Sequence, residues 1–414
     1  MATGSGDRAT FEEVDWSAVD DGNRSPTGRT LAFLTALGVL AVAFGYDYLL
    51  ADGPLVAGWS PTALDWLSLV GVAAFACYVV APLAQNRHLT RRYWRQLRRD
   101  RLAVASLCWL VFFALFALVG PVILGDPETA PMGMGATEGR YGIPIYQPPV
   151  GFGVSEYATP VCSGPISGGK CWGTLLHPLG TTNTGKDVLA FVARGARIEL
   201  QLAFVAGSIL VPIATVVGTV SAQFGGRVDS LLMRYVDLQQ VIPAFFVYLV
   251  AQFLYGGSLL LMVVVFGLLN WGGVARLVRS EALKKRETGY VKAAQAAGSG
   301  RLAVVRRHLM PNVSNAVVTA ITLQIPMLLV IETTLSYLGL GPMQGQSWGY
   351  LIETNIHDAN FPTLGWWSVA APVGFLVATV VSLNLLGDAL RDVLDPRTDG
   401  KTSQTGGTNG GGHR

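Results

Sequence analysis

The 414-residue chain is 51% hydrophobic and only 14% charged, with a formal net charge of +3. Soluble domains carry about 25% charged residues. That deficit, with a mean hydropathy of +0.42, argues against a soluble domain and for a membrane protein. About 20 consecutive apolar residues span a bilayer. Backbone groups in lipid must be satisfied within the segment, so such windows are expected as helices. The alternating pattern of a membrane barrel is absent.

Residues 1–29 hold six acids (Asp7, Glu12, Glu13, Asp15, Asp20 and Asp21) against three arginines. A secretory signal starts basic and ends at a small-residue cleavage site. This stretch therefore reads as an acidic disordered tail. Spans are predicted over 31–50 and 63–83, a hairpin within 30–86. The run RHLTRRYWRQLRRDR (87–101) follows, with seven arginines and one acid. A third span is predicted over 102–124. The long outer segment to residue 197, with its Gly- and Pro-rich ETAPMGMGATEGRYGIPIYQPPVGFG, is expected to be irregular. Five closely spaced spans complete 198–397, over 200–222, 232–254, 259–278, 313–340 and 366–386, for eight in all. The Gly-rich end, 398–414, is expected to be disordered.

Lysine and arginine concentrate in cytoplasmic loops. Residues 87–101 and 276–307, the latter with nine Lys/Arg and two Glu, belong inside on this rule. The loop 341–365 has Glu353, Asp358 and no Lys or Arg, and belongs outside. Eight spans with both termini cytoplasmic meet these preferences, as expected for a multi-pass protein of a prokaryotic plasma membrane. The exception is Lys186, Arg194 and Arg197, placed outside just before the fourth span. The run 87–101, with Tyr93 and Trp94 at the interface, is read as an anchor on anionic lipid and not as a nucleic-acid site.

Cys77 and Cys108 fall within predicted helices and are read as packing residues. Cys162 and Cys171, nine apart in the outer segment, are candidates for a disulfide, since that side is oxidising in a prokaryote. They make a poor zinc site, and no metal centre is expected. Charged groups within membrane helices are costly and usually face inward. Asp237, three residues after Arg234, could form a local ion pair. Glu332 lies about midway along the seventh span, and Gln239, Gln240 and Asn270 add polarity. For these residues, helix–helix hydrogen bonding and a water-lined path stay open as readings.

The stretch YVKAAQAAGSGRLAVVRRHLMPN (290–312) holds no obvious nucleophile, no paired carboxylates and no metal-ligand cluster. Ala293, Ala294, Ala296 and Ala297 are strong helix formers, and Gly298 ends the run. Leu302, Val305 and Leu309 resume helical spacing until Pro311. Two short helices meeting at a small-residue elbow, flanked by Arg301, Arg306 and Arg307, suit the docking of a partner, not catalysis. No Gly-x-x-x-x-Gly-Lys-Ser/Thr loop occurs, so the chain alone is expected to have no ATPase activity.

The Ala-Ala pair, Gly298 and Pro311 thirteen residues later resemble the cytoplasmic loop of ABC importer permeases. HPLGTTNTGKDVLAFVARGARIEL (177–200), GGRVDSLLMRYVDLQQVIPAFF (225–246), WGGVARLVRSEALKKRETGYVKAAQAAG (271–298), ETTLSYLGLG (332–341), SWG (347–349) and NLLGDALRDVLDPR (384–397) extend the likeness to the dipeptide/oligopeptide/nickel permeases. The resemblance implies an all-α polytopic protein with a six-helix core over about 102–386, beside a second, homologous permease. It also implies ATPase subunits that bind ATP and dock on the loop within 280–312, and an external solute-binding protein. On this likeness Lys292, Ala293, Ala294, Ala297, Gly298, Arg301 and Pro311 belong to the coupling loop, while Asp237 and Glu332 are ordinary core features. Lys292 stands where the family has an acid. Thr182 and Lys186 stand for the Asp and Arg more usual in the outer pattern. The hairpin 31–83 has no counterpart and is expected to pack at the periphery. An ion-gradient-driven transporter, or an importer for nickel or sugar, is the alternative.

Overall fold

The computed structural model describes residues 28–50, 61–125, 144–341 and 346–394. Of the tail expected over 1–29, residues 1–27 lie outside the described residues and the last two already belong to the first helix; the tail expected over 398–414 and the first part of the outer segment, 126–143, also lie outside the described residues. The helices are α1 (Gly28–Leu49), α2 (Ala63–Gln85, with a π-helical turn at Ala76–Val80), α3 (Arg87–Leu97), α4 (Arg101–Leu124), α5 (Val188–Phe224), α6 (Gly226–Val241), α7 (Ala244–Tyr255), α8 (Leu259–Leu269), α9 (Gly272–Arg286), α10 (Gly289–Ala296), α11 (Arg301–Val304), α12 (Ser314–Tyr337), α13 (Trp348–Ile356) and α14 (Trp366–Leu394). Among the described residues seven helical segments are long and apolar enough to cross a membrane, or eight if the bent pair α6–α7 crosses as one. This all-α polytopic architecture is the expected one.

The expected span 232–254 is broken. Helices α6 and α7 meet at 66° across Ile242 and Pro243. Proline disfavours the α conformation at the residue before it, and Ile242 is extended there (φ −85°, ψ 113°).

Helix α5, 37 residues long, is the central mast. Asp187 starts it, its Oδ1 accepting from the Ala190 N–H at 2.8 Å. It touches α2, α4, α6, α8, α9, α12, α13 and α14. Small residues line its buried face (Ala190, Ala193, Gly195, Ala196, Ala206, Ala214, Gly218, Ala222). In lipid, where apolar burial gives helices little net drive to associate, such residues let backbones approach and pack. Along α5 run an outer layer with Phe113, Phe191, Trp348 and Trp367, a middle layer with Leu202, Tyr248 and Phe266, and an inner layer with Leu210, Trp271 and Val278.

The mast begins twelve residues before the predicted 200, so Arg194 and Arg197 are helical. This accounts for one exception to the charge rule. The Arg197 guanidinium donates to Asp65 Oδ1 at 3.0 Å, and Gln201 Nε2 donates to the same oxygen at 2.7 Å. Asp65 Oδ2 accepts from the Thr62 N–H and hydroxyl (2.9 and 2.8 Å), while Thr62 Oγ1 accepts from the Asp65 N–H (3.3 Å). One carboxylate thus closes the capping box of α2 and fastens the added hairpin to the mast. Asp65→Ala should cost about 2 kcal/mol from the lost cap and charged hydrogen bonds. It should lower the apparent melting temperature of the purified protein, with Asp65→Asn recovering part. An Asp65→Ala protein melting like wild type would refute this role.

The outer segment is not irregular throughout. Strands β1 (Gly153–Ser155), β2 (Ile166–Ser167) and β3 (Lys170–Trp172) form an antiparallel sheet in the order β1-β3-β2. Gly168 and Gly169, both at positive φ (61° and 69°), make the two-residue turn between β2 and β3. Such a turn demands positive φ at both positions. Cys162 and Cys171 are joined in a disulfide.

This outer cap closes on the loop before α14. The Tyr146 hydroxyl donates to Asp358 Oδ2 (2.7 Å), Asn183 Nδ2 to the same oxygen (2.6 Å), and the Asn360 N–H to Oδ1 (2.8 Å). Burial alone would raise the Asp358 carboxyl, but these hydrogen bonds outweigh it and hold it below its ordinary value. A depressed carboxyl stabilises the fold above its unfolded pKa, about 3.9, and loses that contribution as pH falls through the lower folded value. Hydrogen-exchange protection at 146–147 and 355–360, measured relative to the intrinsic rate at each pH, should therefore fall below about pH 4. Asp358→Asn should exchange fast already at neutral pH; unchanged exchange would refute the link.

Candidate functional site

The loop 287–313 is built on a four-residue core. Val291, Val304, Val305 and Leu309 are buried together, backed by Val220 and Met310. Leu302 points outward, 67% exposed, so the buried positions differ from the simple spacing by one. Thr288, in extended backbone, precedes α10. At the other end the Ser299 N–H bonds the Ala294 carbonyl (3.0 Å) and the Gly298 N–H bonds that of Gln295 (3.0 Å). Those two bonds define a Schellman motif, and Gly298 adopts the positive φ it requires (85°). Gly298 thus stops the helix as the sequence predicted. Ala293, Ala296, Ala297 and Gly298 are exposed and Ala294 is half-buried. The small-residue surface faces outward on an anchored support.

Pro311 does not end the second helix. Helical backbone runs from α11 through a π-helical turn at Val305–Leu309 and on over Met310–Asn312, breaking at Val313. Proline has no N–H to offer the carbonyl four residues back, which is that of Arg307 within the π-helical turn. A widened turn accommodates it.

A cleft of about 520 Å³ lies beside this surface, lined by Gln223, Phe224, Arg286, Glu287, Lys292 and Arg301 among others. Arg301 lies 5.8 Å over the Phe224 ring. Arg286 Nη1 donates to the Ala222 carbonyl (2.8 Å) at the end of the mast, where a cation favours the helix dipole. Lys292 Nζ pairs with Glu287 Oε2 at 3.0 Å. The hydrogen bond and charge of Lys292 hold the Glu287 carboxyl below its ordinary value. Lys292 therefore has an acid of its own chain beside it.

Helix α9, which leads into the loop, is tied to α5 and α6 by a group not singled out in the sequence. Arg279 of α9 grips Asp229 of α6 with Nε (2.6 Å) and Nη2 (2.5 Å), and the Ser221 hydroxyl of α5 donates to the same carboxylate. The last turn of α5, the first turn of α6 and the middle of α9 meet at one ion pair. Asp229 and Arg279 lie within two of the stretches that carry the family resemblance, but their pairing spans 50 residues and leaves no local mark.

The polar residues proposed for the core divide. Asp237 pairs with Arg276 of α9, not with Arg234, and both partners are about half exposed or more. The partner is reached across helices, and an exposed pair contributes little. Gln239 is buried, its Nε2 donating to the Leu268 carbonyl (2.8 Å), just ahead of Asn270 at the end of α8. Glu332 lies apart from these, fully buried, beside Glu199 of α5. Glu199 escaped the sequence reading because the window began at Leu200. The pattern that exposes it is the buried stripe Val188, Val192, Ala196, Glu199, Leu202, Ala206 at helical spacing.

In the outer loop Thr182 keeps a turn-forming role where the family has Asp. Its hydroxyl oxygen accepts from the N–H groups of Lys186 (3.1 Å) and Thr184 (3.3 Å).

Residues 214–400 match the family described as binding-protein-dependent transport system inner membrane component. Residues 88–149 match the N-terminal TM domain of oligopeptide transport permease C. The oligopeptide transport system permease protein OppC of Escherichia coli (strain K12) is 33% identical over 313 residues, 74% of this chain and 92% of that protein. The chain belongs to the binding-protein-dependent transport permeases. Other permeases similar to it include OppC of Haemophilus influenzae, 29% identical over 314 residues (76% of this chain, 90% of that protein). The dipeptide transport system permease protein DppC of Bacillus subtilis (strain 168) is 29% identical over 312 residues (74% and 86%). As a permease the chain is a multi-pass membrane transport subunit. Neither family match includes residues before 88, so α1 and α2 are an addition to the matched regions.

Proposed function

We propose that the chain is one of two permease subunits of an ATP-driven importer for dipeptides or oligopeptides in a prokaryotic plasma membrane, with both termini cytoplasmic. Its cytoplasmic loop receives the motion of ATPase subunits, which bind the ATP, while an external binding protein delivers the solute. The observation that carries this reading is the exposed alanine surface of α10, held rigid by Val291 below and the Gly298 stop at its end. It presents shape and no reactive group, as a site does when the chemistry occurs on another chain. The peptide class rests on the relatives' names. The Asp229–Arg279 clamp fixes α9, the helix that leads into the loop, to α5 and α6.

The test is reconstitution with the candidate ATPases, second permease and binding protein. ATP should drive uptake of a labelled di- or oligopeptide, and the ATPases should be retained through purification. Uptake that persists without ATP and collapses with the proton gradient would instead identify a secondary transporter. ATP-dependent uptake of sugar or nickel in place of peptide would retain the importer and change its solute.

A further inference from the structure

The buried pair Glu199 and Glu332 has no part in the docking loop. Both are at most 1% exposed, on the facing helices α5 and α12. The Thr333 hydroxyl is shared between the Leu329 carbonyl (2.9 Å) and Glu199 Oε1 (3.2 Å), and the Ser336 hydroxyl donates to Glu332 Oε1 (2.8 Å). Ser347, one residue before α13, is a further hydroxyl beside Glu332. The second oxygen of each carboxyl, Oε2, is buried and receives no hydrogen bond from any N–H or O–H. Yet the two carboxyls face each other across the α5–α12 contact: the hydroxyl that reaches Glu199 belongs to Thr333, the residue after Glu332. Two ionised carboxylates are acceptors only. A bond between them exists only when one carries a hydrogen, and like charges at such range cannot both persist in a buried site.

We propose that Glu199 and Glu332 hold one proton between them, an acid–carboxylate hydrogen bond that latches the mast α5 to α12 beside the outer layer of the core. The surrounding groups are already committed. Arg197, on the same helix as Glu199, is engaged by Asp65, and Arg194 reaches Gln346 Oε1 at 3.5 Å. Tyr248 of α7, the other titratable group near Glu332, donates its hydroxyl to the Leu340 carbonyl (3.0 Å). Neither carboxyl makes an ion pair of 4 Å or less with a Lys, Arg or His of the described residues. The site holds its proton locally; these contacts offer no onward relay. Parting α5 from α12 would strip the charged oxygen of its donor, so the latch favours the packed state.

Infrared spectroscopy of the full-length protein in lipid nanodiscs tests this. At neutral pH wild type should show the C=O stretch of a buried protonated carboxylic acid, shifted in D₂O. Glu199→Gln and Glu332→Gln should each remove it while keeping the protein folded, because an amide N–H replaces the shared hydrogen. Glu332→Ala, which leaves Glu199 unpaired, should melt well below Glu332→Gln. Absence of the band in wild type, or its survival in both glutamine variants, overturns the proposal; the wild-type spectrum decides even if a variant fails to fold. Wild-type stabilisation by added Na⁺ or Ca²⁺ that the glutamine variants lose would place a cation between the carboxyls and also overturn it.

Discussion

Replacing Gly298 by valine is expected to cut ATP-driven uptake about tenfold, and replacing it by asparagine much less. A Cβ on Gly298 would meet nothing within 4 Å, so size is not the obstacle. The backbone is, with φ at 85°. An L-residue in that region costs about 1–2 kcal/mol, most for a β-branched side chain and least for Asn, and 1.4 kcal/mol is a factor of ten. Valine would relieve the strain by unwinding the Schellman stop, tilting the alanine surface. Gly298→Asp adds an anion to a face bordered by Lys292 and Arg301 and should also lower retention of the ATPases. Uptake and ATPase retention in reconstituted vesicles measure both effects. If asparagine damages uptake as much as valine, side-chain bulk at the docking face matters and the conformational account fails. If neither has an effect, the loop does not couple.

What the sequence carries of this structure depends on whether the signal is local. Apolar windows mark the helices, since composition alone decides what can lie in lipid. The stop at Gly298 is readable because a helix end in left-handed backbone needs that residue type. The break at Pro243 was also written locally, but a window scoring only apolarity runs through it. The hairpin turn at Gly168–Gly169 was likewise masked by the general Gly and Pro content around it. Glu199 lay one residue beyond a window edge, although the stripe from Val188 to Ala206 includes it. The contacts Asp65–Arg197, Asp229–Arg279 and Glu199–Glu332 are different in kind. Each joins residues 50 or more apart, and only packing around α5 brings them together. Asp237 shows the converse error: the nearest arginine in sequence is not the one that holds it.

The contact of Gly195 with Trp348 carries the second large expected effect. Trp348 is fully buried in the outer layer, its Nε1 donating to the Val192 carbonyl at 2.9 Å. A Cβ on Gly195 would lie 2.2 Å from Trp348 Cδ1 and 2.5 Å from Nε1. The indole is fully buried, and retreat would break its hydrogen bond. Gly195→Ala should therefore destabilise by about 1–3 kcal/mol, as overpacking does. Trp348→Leu, which opens a gap and loses the hydrogen bond, should cost about 3 kcal/mol. The two faults oppose each other, because the added methyl enters space the indole vacated. The double variant should be less destabilised than the sum of the singles, by about 1 kcal/mol or more. Unfolding midpoints of the four proteins in mixed detergent complete the cycle. Additive costs would mean that the two positions do not share this space, and that α13 is held to the mast by other contacts.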